Sequence, residues 1–241
     1  MRNVSSRKKN ISTIIILVIV LLVPGFLYVM LNRMGTNSYV KLPVFGEKVL
    51  SGKMKRVMGR EVPDTIYHQV PTLVLQSSDG DSTVFMGLDS TISIVHLFYT
   101  KDEGLSVALA QNLRPVVERF DHNRTVKFYS ISVDPMDSAT ELASFAKRFN
   151  KGLEKQWQFL GSAQADVLGF SRKHLLLDAM RDSGDSTRFI ISSNYVLIDS
   201  QHRIRGFYDI NLNTEVDRLK DEIKVQLVEE IRNNPLKVEK K

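Results

Sequence analysis

Thiolates, imidazoles and carboxylates carry most protein redox, metal and acid–base chemistry, and this chain is short of the first two. It has no cysteine and five histidines, at positions 68, 96, 122, 174 and 202. Without a thiol there is no structural disulfide, thiol nucleophile, CxxC exchange, Cys-ligated zinc, Fe–S cluster or lipid-modified cysteine. The histidines are isolated, with no His-x-x-x-His or His-Glu-x-x-His spacing to put a metal ligand pair on one helix face. His96 lies in an apolar run two residues before Phe98. It reads as a hydrogen-bonded core histidine rather than one facing a site at the end of that run. His122 and His202 fall in polar turns and are expected to be exposed. Among carboxylates, Asp102 and Glu103 would suit a hard cation. The competing and preferred reading is an acidic loop leading into a helix, where the N-terminal dipole favours carboxylates. Asp178, Asp182 and Asp185 occupy a Gly/Ser-rich stretch without EF-hand spacing, so a solvated loop is expected rather than a calcium site. No P-loop, Gly-x-Ser-x-Gly or paired-carboxylate motif stands in a convincing context. Neither an enzyme nor a resident cofactor is expected.

The elements that would position these residues follow from periodicity. Thr72–Gln76 and Thr83–Met86 flank Ser77-Ser78-Asp79-Gly80-Asp81 and predict a β-hairpin. Ile92–Tyr99 and Val126–Val133 are dense β-branched and aromatic runs, expected as strands buried on both faces. Leu105–Phe120 between them carries Leu105, Leu109, Leu113 and Val116 at helical spacing. The two strands should therefore be parallel neighbours. Ser138 and Glu141 form a capping box that opens a helix with Leu142, Phe145 and Phe149 on one stripe. Trp157–Leu160 is a short apolar run, Ala163–Phe170 a short helix, and Arg172–Ser186 is irregular. Arg188–Asp199 reads as a strand, or a broken strand, that pairs with Arg203–Tyr208 across a turn. A final helix starts at Thr214. A β-α-β unit followed by β-β-α predicts a thioredoxin-like three-layer α/β domain.

The remaining segments are organised by charge. The net charge of +6 resides in the two ends, +4 within residues 1–10 and +2 within 237–241, which leaves the interior neutral. Nothing there suggests a nucleic-acid partner. Ile11–Leu31 has no charged residue and is long enough as a helix to cross a bilayer. It is longer than a signal-peptide core and lacks a small-residue cleavage site. The four basic residues before it predict a cytoplasmic N-terminus. The expected layout is a basic tail (1–10), a transmembrane anchor (11–31), a juxtamembrane tether (32–70), the α/β domain (71–233) and a second basic tail (234–241). The tether is expected to be partly extended, with a short strand at Val44–Val49. The protein is thus expected to be single-pass in the cytoplasmic (inner) membrane, with its C-terminal domain periplasmic.

Several blocks carry a family resemblance. They are Phe98-Tyr99-Thr100, Tyr129 to Pro135, Phe145 to Phe149, Trp157 to Leu160, Asn194 to Asp199 and Ile204 to Asp209. In this order they resemble the Sco/SenC family over roughly residues 70–230. The resemblance implies a thioredoxin fold on an N-terminal anchor and a part in copper delivery to cytochrome c oxidase. It also implies two cysteines at C-x-x-x-C spacing after the Phe-x-Thr strand, with a distant histidine. Those positions here are Asp102, Ser106 and Ile191, so the resemblance is to a degenerate member. Thiolates suit Cu(I) and imidazole suits Cu(II). A carboxylate, a hydroxyl and an aliphatic side chain supply neither, and no copper or thiol site is expected. The implied partners are the membrane, oxidase subunits or a copper-chaperone paralogue. The alternative is a non-catalytic thioredoxin-fold scaffold for an unrelated envelope partner. An enzyme of peroxide or thiol metabolism is disfavoured by the missing cysteines.

Overall fold

The computed structural model describes residues 16–30, 41–57, 59–87, 91–162, 165–185 and 187–233. Both basic tails, and the expected anchor's residues 11–15 and 31, lie outside them. The chain divides into two compact units, residues 1–40 and 41–241. In the first, residues 16–30 form helix α1, with every side chain exposed. Among the described residues, no helix is long and apolar enough to cross a membrane.

The second unit is built on one seven-stranded sheet. Its strands are β3 (Leu73–Ser77), β4 (Ser82–Phe85), β5 (Ile92–Phe98), β6 (Val126–Ser132), β7 (Trp157–Gly161), β10 (Asn194–Ile198) and β11 (Ile204–Asp209). They lie in the order β11-β10-β5-β6-β7-β3-β4. β5, β6 and β7 are mutually parallel, with His96 opposite Ser130 and Ser130 opposite Phe159. Helices α2 (Leu105–Phe120) and α3 (Ala139–Lys147) make the two crossovers. Every side chain of β5 is buried, because both faces of the sheet are covered.

Register assigns the layers. Ile94, His96 and Phe98 share a face with Phe128, Ser130, Trp157 and Phe159. On that face Phe145 of α3 stacks on Phe98 at 4.9 Å, and the Tyr195 hydroxyl donates to the Leu109 carbonyl of α2 at 2.7 Å. Helix α5 (Asn213–Asn233) packs there against α2. On the other face Phe85 meets Tyr129 at 5.2 Å and Phe170 of α4 (Val167–Phe170) at 6.2 Å. A hairpin of β8 (Ala179–Arg181) and β9 (Phe189–Ile191) reaches the same layer through Phe189, 5.3 Å from Tyr99. This is the expected mixed α/β, thioredoxin-like arrangement. The helix over Leu105–Phe120, the capping box at Ser138 and Glu141, the parallel β5–β6 pair and the antiparallel β10–β11 pair all match the sequence reading.

Two regions differ from it. The supposed tether, in its described residues, is structured. β1 (Lys48–Val57) and β2 (Arg60–Tyr67) form a separate antiparallel hairpin, and Val44–Glu47 precede it outside any strand. The neck of the hairpin is held to the domain. The Phe45 amide donates to the Ile204 carbonyl at 2.9 Å, and the Val70 amide to that of His202 at 2.8 Å. The His68 amide closes on the Glu47 carbonyl at 3.0 Å. Gly46 sits there at φ +94°, where a Cβ would come within 2.5 Å of the His68 side chain, so only glycine fits. The sequence shows no strand alternation because neither face of this hairpin is covered by core. The irregular stretch Arg172–Ser186 also contains order. Ser171–Leu175 is a π-helical turn ended by left-handed Leu176, and β8 follows.

A buried cation fastens the neck. Arg205 is fully enclosed, and each of its five N–H groups has an acceptor. Nε donates to the Pro43 carbonyl at 3.1 Å, and one terminal nitrogen to Asp199 at 2.9 Å and Glu229 at 3.2 Å. The other donates to the Leu42 carbonyl at 2.7 Å and to Glu229 at 2.8 Å. Arg205→Met should lower stability by about 3 kcal/mol, because it strands the buried Glu229 carboxylate and leaves Asp199 with Arg203 alone. Urea denaturation of the full chain would measure this, and a loss below about 1 kcal/mol would contradict it.

Candidate functional site

The loop after β5 holds two of the three positions singled out by the resemblance. Asp102 and Ser106 are in direct contact. Asp102 Oδ2 accepts from the Ser106 amide at 2.7 Å and from its hydroxyl at 2.8 Å, while Oδ1 accepts from the Gly104 amide at 2.9 Å. Ser106 Oγ also accepts from the Tyr99 amide at 3.2 Å and has no solvent exposure. The N-cap residue of α2, Gly104, offers no side-chain cap. Asp102 takes that role from two residues upstream, placing its charge at the positive end of the helix. Ile191 lies on β9, opposite Ala179 and on the same side of its strand as Phe189, the residue against Tyr99. It is buried and aliphatic.

This donor set does not fit copper. Both oxygens of Asp102 already accept from the loop and helix, the one hydroxyl is enclosed and committed, and the third position offers no lone pair. The hard-cation alternative also finds no support. Arg148 binds both oxygens of Glu103, at 3.1 and 2.9 Å, and holds that carboxyl below its ordinary range. The carboxylates of Asp102 and Glu103 thus serve different partners. Asp182 Oδ1 accepts from the Gly184 amide, and Asp185 Oδ1 from the amide and hydroxyl of Thr187, as turn-forming groups between β8 and β9. Among the described residues no group of three or more His, Asp or Glu side chains could hold a metal.

Beside the loop lies a polar centre that sequence spacing does not single out. Asp137 accepts from the Thr100 amide at 2.9 Å, the Thr100 hydroxyl at 2.5 Å and the Ser132 hydroxyl at 2.5 Å. It locks the end of β5 to the end of β6. The Asp134-Pro135 turn, where the Met136 amide donates to Asp134 at 2.9 Å, swings Asp137 back over both strands. A shallow cleft lies alongside, lined by Thr100, Lys101, Thr140, Ser144 and Arg148 among others.

His96 is a structural residue. Trp157 Nε1 donates to Ser130 Oγ at 2.8 Å, and Ser130 Oγ lies 2.6 Å from His96 Nε2. His96 Nδ1 faces the Leu97 carbonyl at 3.2 Å. A neutral ring protonated at Nδ1 satisfies every contact. His68 and His174, 106 residues apart, come together instead. The His68 Nε2 atom lies 2.9 Å from the His174 carbonyl, and the rings are nearly parallel at 6.4 Å. No spacing rule links them, because the residue after β2 and the π-helical turn meet only in the fold. His122 is exposed as expected, whereas His202 is half-buried in a tight turn at φ +62°.

No family model and no curated relative matches this sequence. Solved structures do match the fold. A SCO1/SenC family lipoprotein from Bacillus anthracis aligns at a TM-score of 0.59 and 19% identity, over 66% of this chain and 95% of its own. BsSco, described as a member of the Sco family of cytochrome c oxidase assembly proteins with a disulfide switch, aligns at 0.57 and 22%, over 66% and 93%. Arabidopsis thaliana ScoI, solved with copper bound, aligns at 0.53 and 20%, over 68% and 98%. The protein therefore has the Sco/SenC fold, without the cysteines.

Burial lowers the His96 imidazole from 6.5 to about 4. Its folded pKa lies below the unfolded one, so the unfolded chain binds more protons between these values. Stability should be fully present above pH 6.5 and fall by about 3 kcal/mol as the pH drops towards 4. His96→Gln should flatten this dependence in denaturation series at pH 7 and 4.5; an unchanged slope would contradict the assignment. Asp102→Ala should cost about 1–2 kcal/mol through the lost cap. Thermal melts would detect it.

Proposed function

We propose that this is a membrane-anchored, Sco/SenC-like protein that works in respiratory oxidase assembly through protein–protein contact, with no copper or thiol chemistry of its own. The observation that carries this reading is the Asp102–Ser106 pair. Two side chains at the family's cysteine spacing still touch, at 2.8 Å, in the loop after the equivalent strand, but they are joined by a hydrogen bond. The two side chains meet as a carboxylate and a hydroxyl, not as thiols. The likeness to BsSco, described as a member of the Sco family of cytochrome c oxidase assembly proteins, supports an oxidase setting. The uncharged run Ile11–Leu31, preceded by Arg2, Arg7, Lys8 and Lys9, supports an anchor with a cytoplasmic N-terminus and a periplasmic domain. The expected partners are oxidase subunits or a cysteine-bearing copper chaperone.

Two measurements test this. Crosslinking in intact membranes should capture oxidase subunits or their copper chaperone; capture of unrelated envelope proteins alone would favour the scaffold reading and overturn this one. The unmodified chain should bind Cu(I) no better than a histidine-bearing control. Asp102→Cys, Ser106→Cys and Ile191→His together should restore stoichiometric Cu(I) binding in competition with a chromogenic chelator. Tight stoichiometric copper on the unmodified chain would refute the loss of the site.

A further inference from the structure

The β1–β2 hairpin has no counterpart in the proposed chemistry and is built unlike the rest of the domain. It is a two-stranded sheet on its own. Such a ribbon is only marginally stable in water unless something covers it. Its apolar side chains are uncovered: Leu50 is 68% exposed, Met54 61% and Ile66 59%. Register puts Leu50 and Met54 on one face and Val49 and Ile66 on the other, so neither face is turned to the core. Basic residues interleave with them. Lys48, Lys53, Lys55, Arg56 and Arg60 stand against only Glu61 and Asp64, a net charge of +3. Residues 11–236 are neutral in total, so the rest of that span carries −3. Among the described residues, Lys53, Lys55 and Arg56 take part in no ion pair.

Basic side chains interleaved with exposed apolar ones are what an anionic lipid surface attracts and holds. A second copy of the hairpin would bring +3 against +3, and lysine-bearing edges oppose strand-to-strand pairing. The reach is adequate. The residues between 30 and 41 span at most roughly 40 Å when extended, and a ten-residue strand such as β1 about 33 Å. The neck at Gly46 and His68 is fixed, so the arm projects from a rigid base. We infer that the β1–β2 hairpin is a docking arm that lays its basic and apolar side chains on the anionic phospholipid surface of the membrane holding the chain. The inference rests on the anchored reading above and adds a second, charge-dependent attachment that fixes the domain's orientation to the bilayer.

The absence of native cysteine makes the test clean. Full-length chain carrying Met54→Cys is labelled with an environment-sensitive fluorophore. It is reconstituted in phosphatidylcholine vesicles with or without phosphatidylglycerol. A second chain labelled at Met136→Cys, an exposed turn position, is the control. The label at 54 should shift to shorter wavelength and resist an aqueous quencher only with phosphatidylglycerol, and the control label should not respond. Lys53→Glu, Lys55→Glu and Arg56→Glu together should lower the docked-to-free ratio about a hundredfold, at about fivefold per basic residue, and high salt should weaken docking. A label equally quenched in both lipids would overturn the inference. So would protection that ignores lipid charge, or that scales with protein density and marks a second copy or a protein partner. Alkaline extraction separates the two readings. A chain that resists extraction but leaves the 54 label exposed keeps the anchor and loses the arm. A chain that is extracted yet still shows phosphatidylglycerol-dependent protection keeps the arm and loses the anchor. Failure of both refutes both.

Discussion

A single buried guanidinium decides how the ends of this domain meet. Arg205 arrives on β11 with five donors, and each must find an acceptor or cost the desolvation of a charge. The acceptors come from three places: the carbonyls of Leu42 and Pro43, the Asp199 carboxylate in the turn before β11, and Glu229 on α5. Asp199 is committed further, accepting from Arg203 at 2.8 Å. Such a cluster gives little net stability compared with apolar packing of the same volume. What it supplies is a fixed docking, since all five donors are met only when Leu42, Pro43, Asp199 and Glu229 converge on Arg205 as they do here.

The candidate site sits at the other limit of this logic. The loop from Thr100 to Ser106 is held by Asp137, by the Asp102 cap and by the Glu103–Arg148 pair. All three are polar closures that need no metal or thiol. At Asp102 and Ser106 the side chains satisfy one another. Ser106 is enclosed and paired, so it belongs to the core's hydrogen bonding.

What could be read from sequence followed the strength of periodic burial. Ile92–Tyr99 and Leu105–Phe120 announce themselves because both sides of one and a stripe of the other meet core. Ser138 and Glu141 are legible because a capping box is local. The β1–β2 hairpin was missed because it buries neither face, leaving no alternation to detect. Asp137 and the His68–His174 pair were missed because their partners lie across the fold. The Arg205 cluster was hidden for the same reason: Leu42 and Glu229 are ordinary residues until β11 sets the arginine between them. Asp102, Ser106 and Ile191 stand out as a set only through family resemblance.

The distances along the chain within the Arg205 cluster bear on the order of assembly. Leu42 stands 163 residues before the arginine, and Glu229 follows it by 24. Closing so long a loop is entropically slow, and its reward arrives only with the last helix. A polypeptide emerging N-terminus first therefore holds Leu42 and Pro43 unfastened until β11 has been made. Helix α5 acts as a latch: only when Glu229 reaches Arg205 is the link between β11 and the segment at Leu42 and Pro43 fully charge-paired.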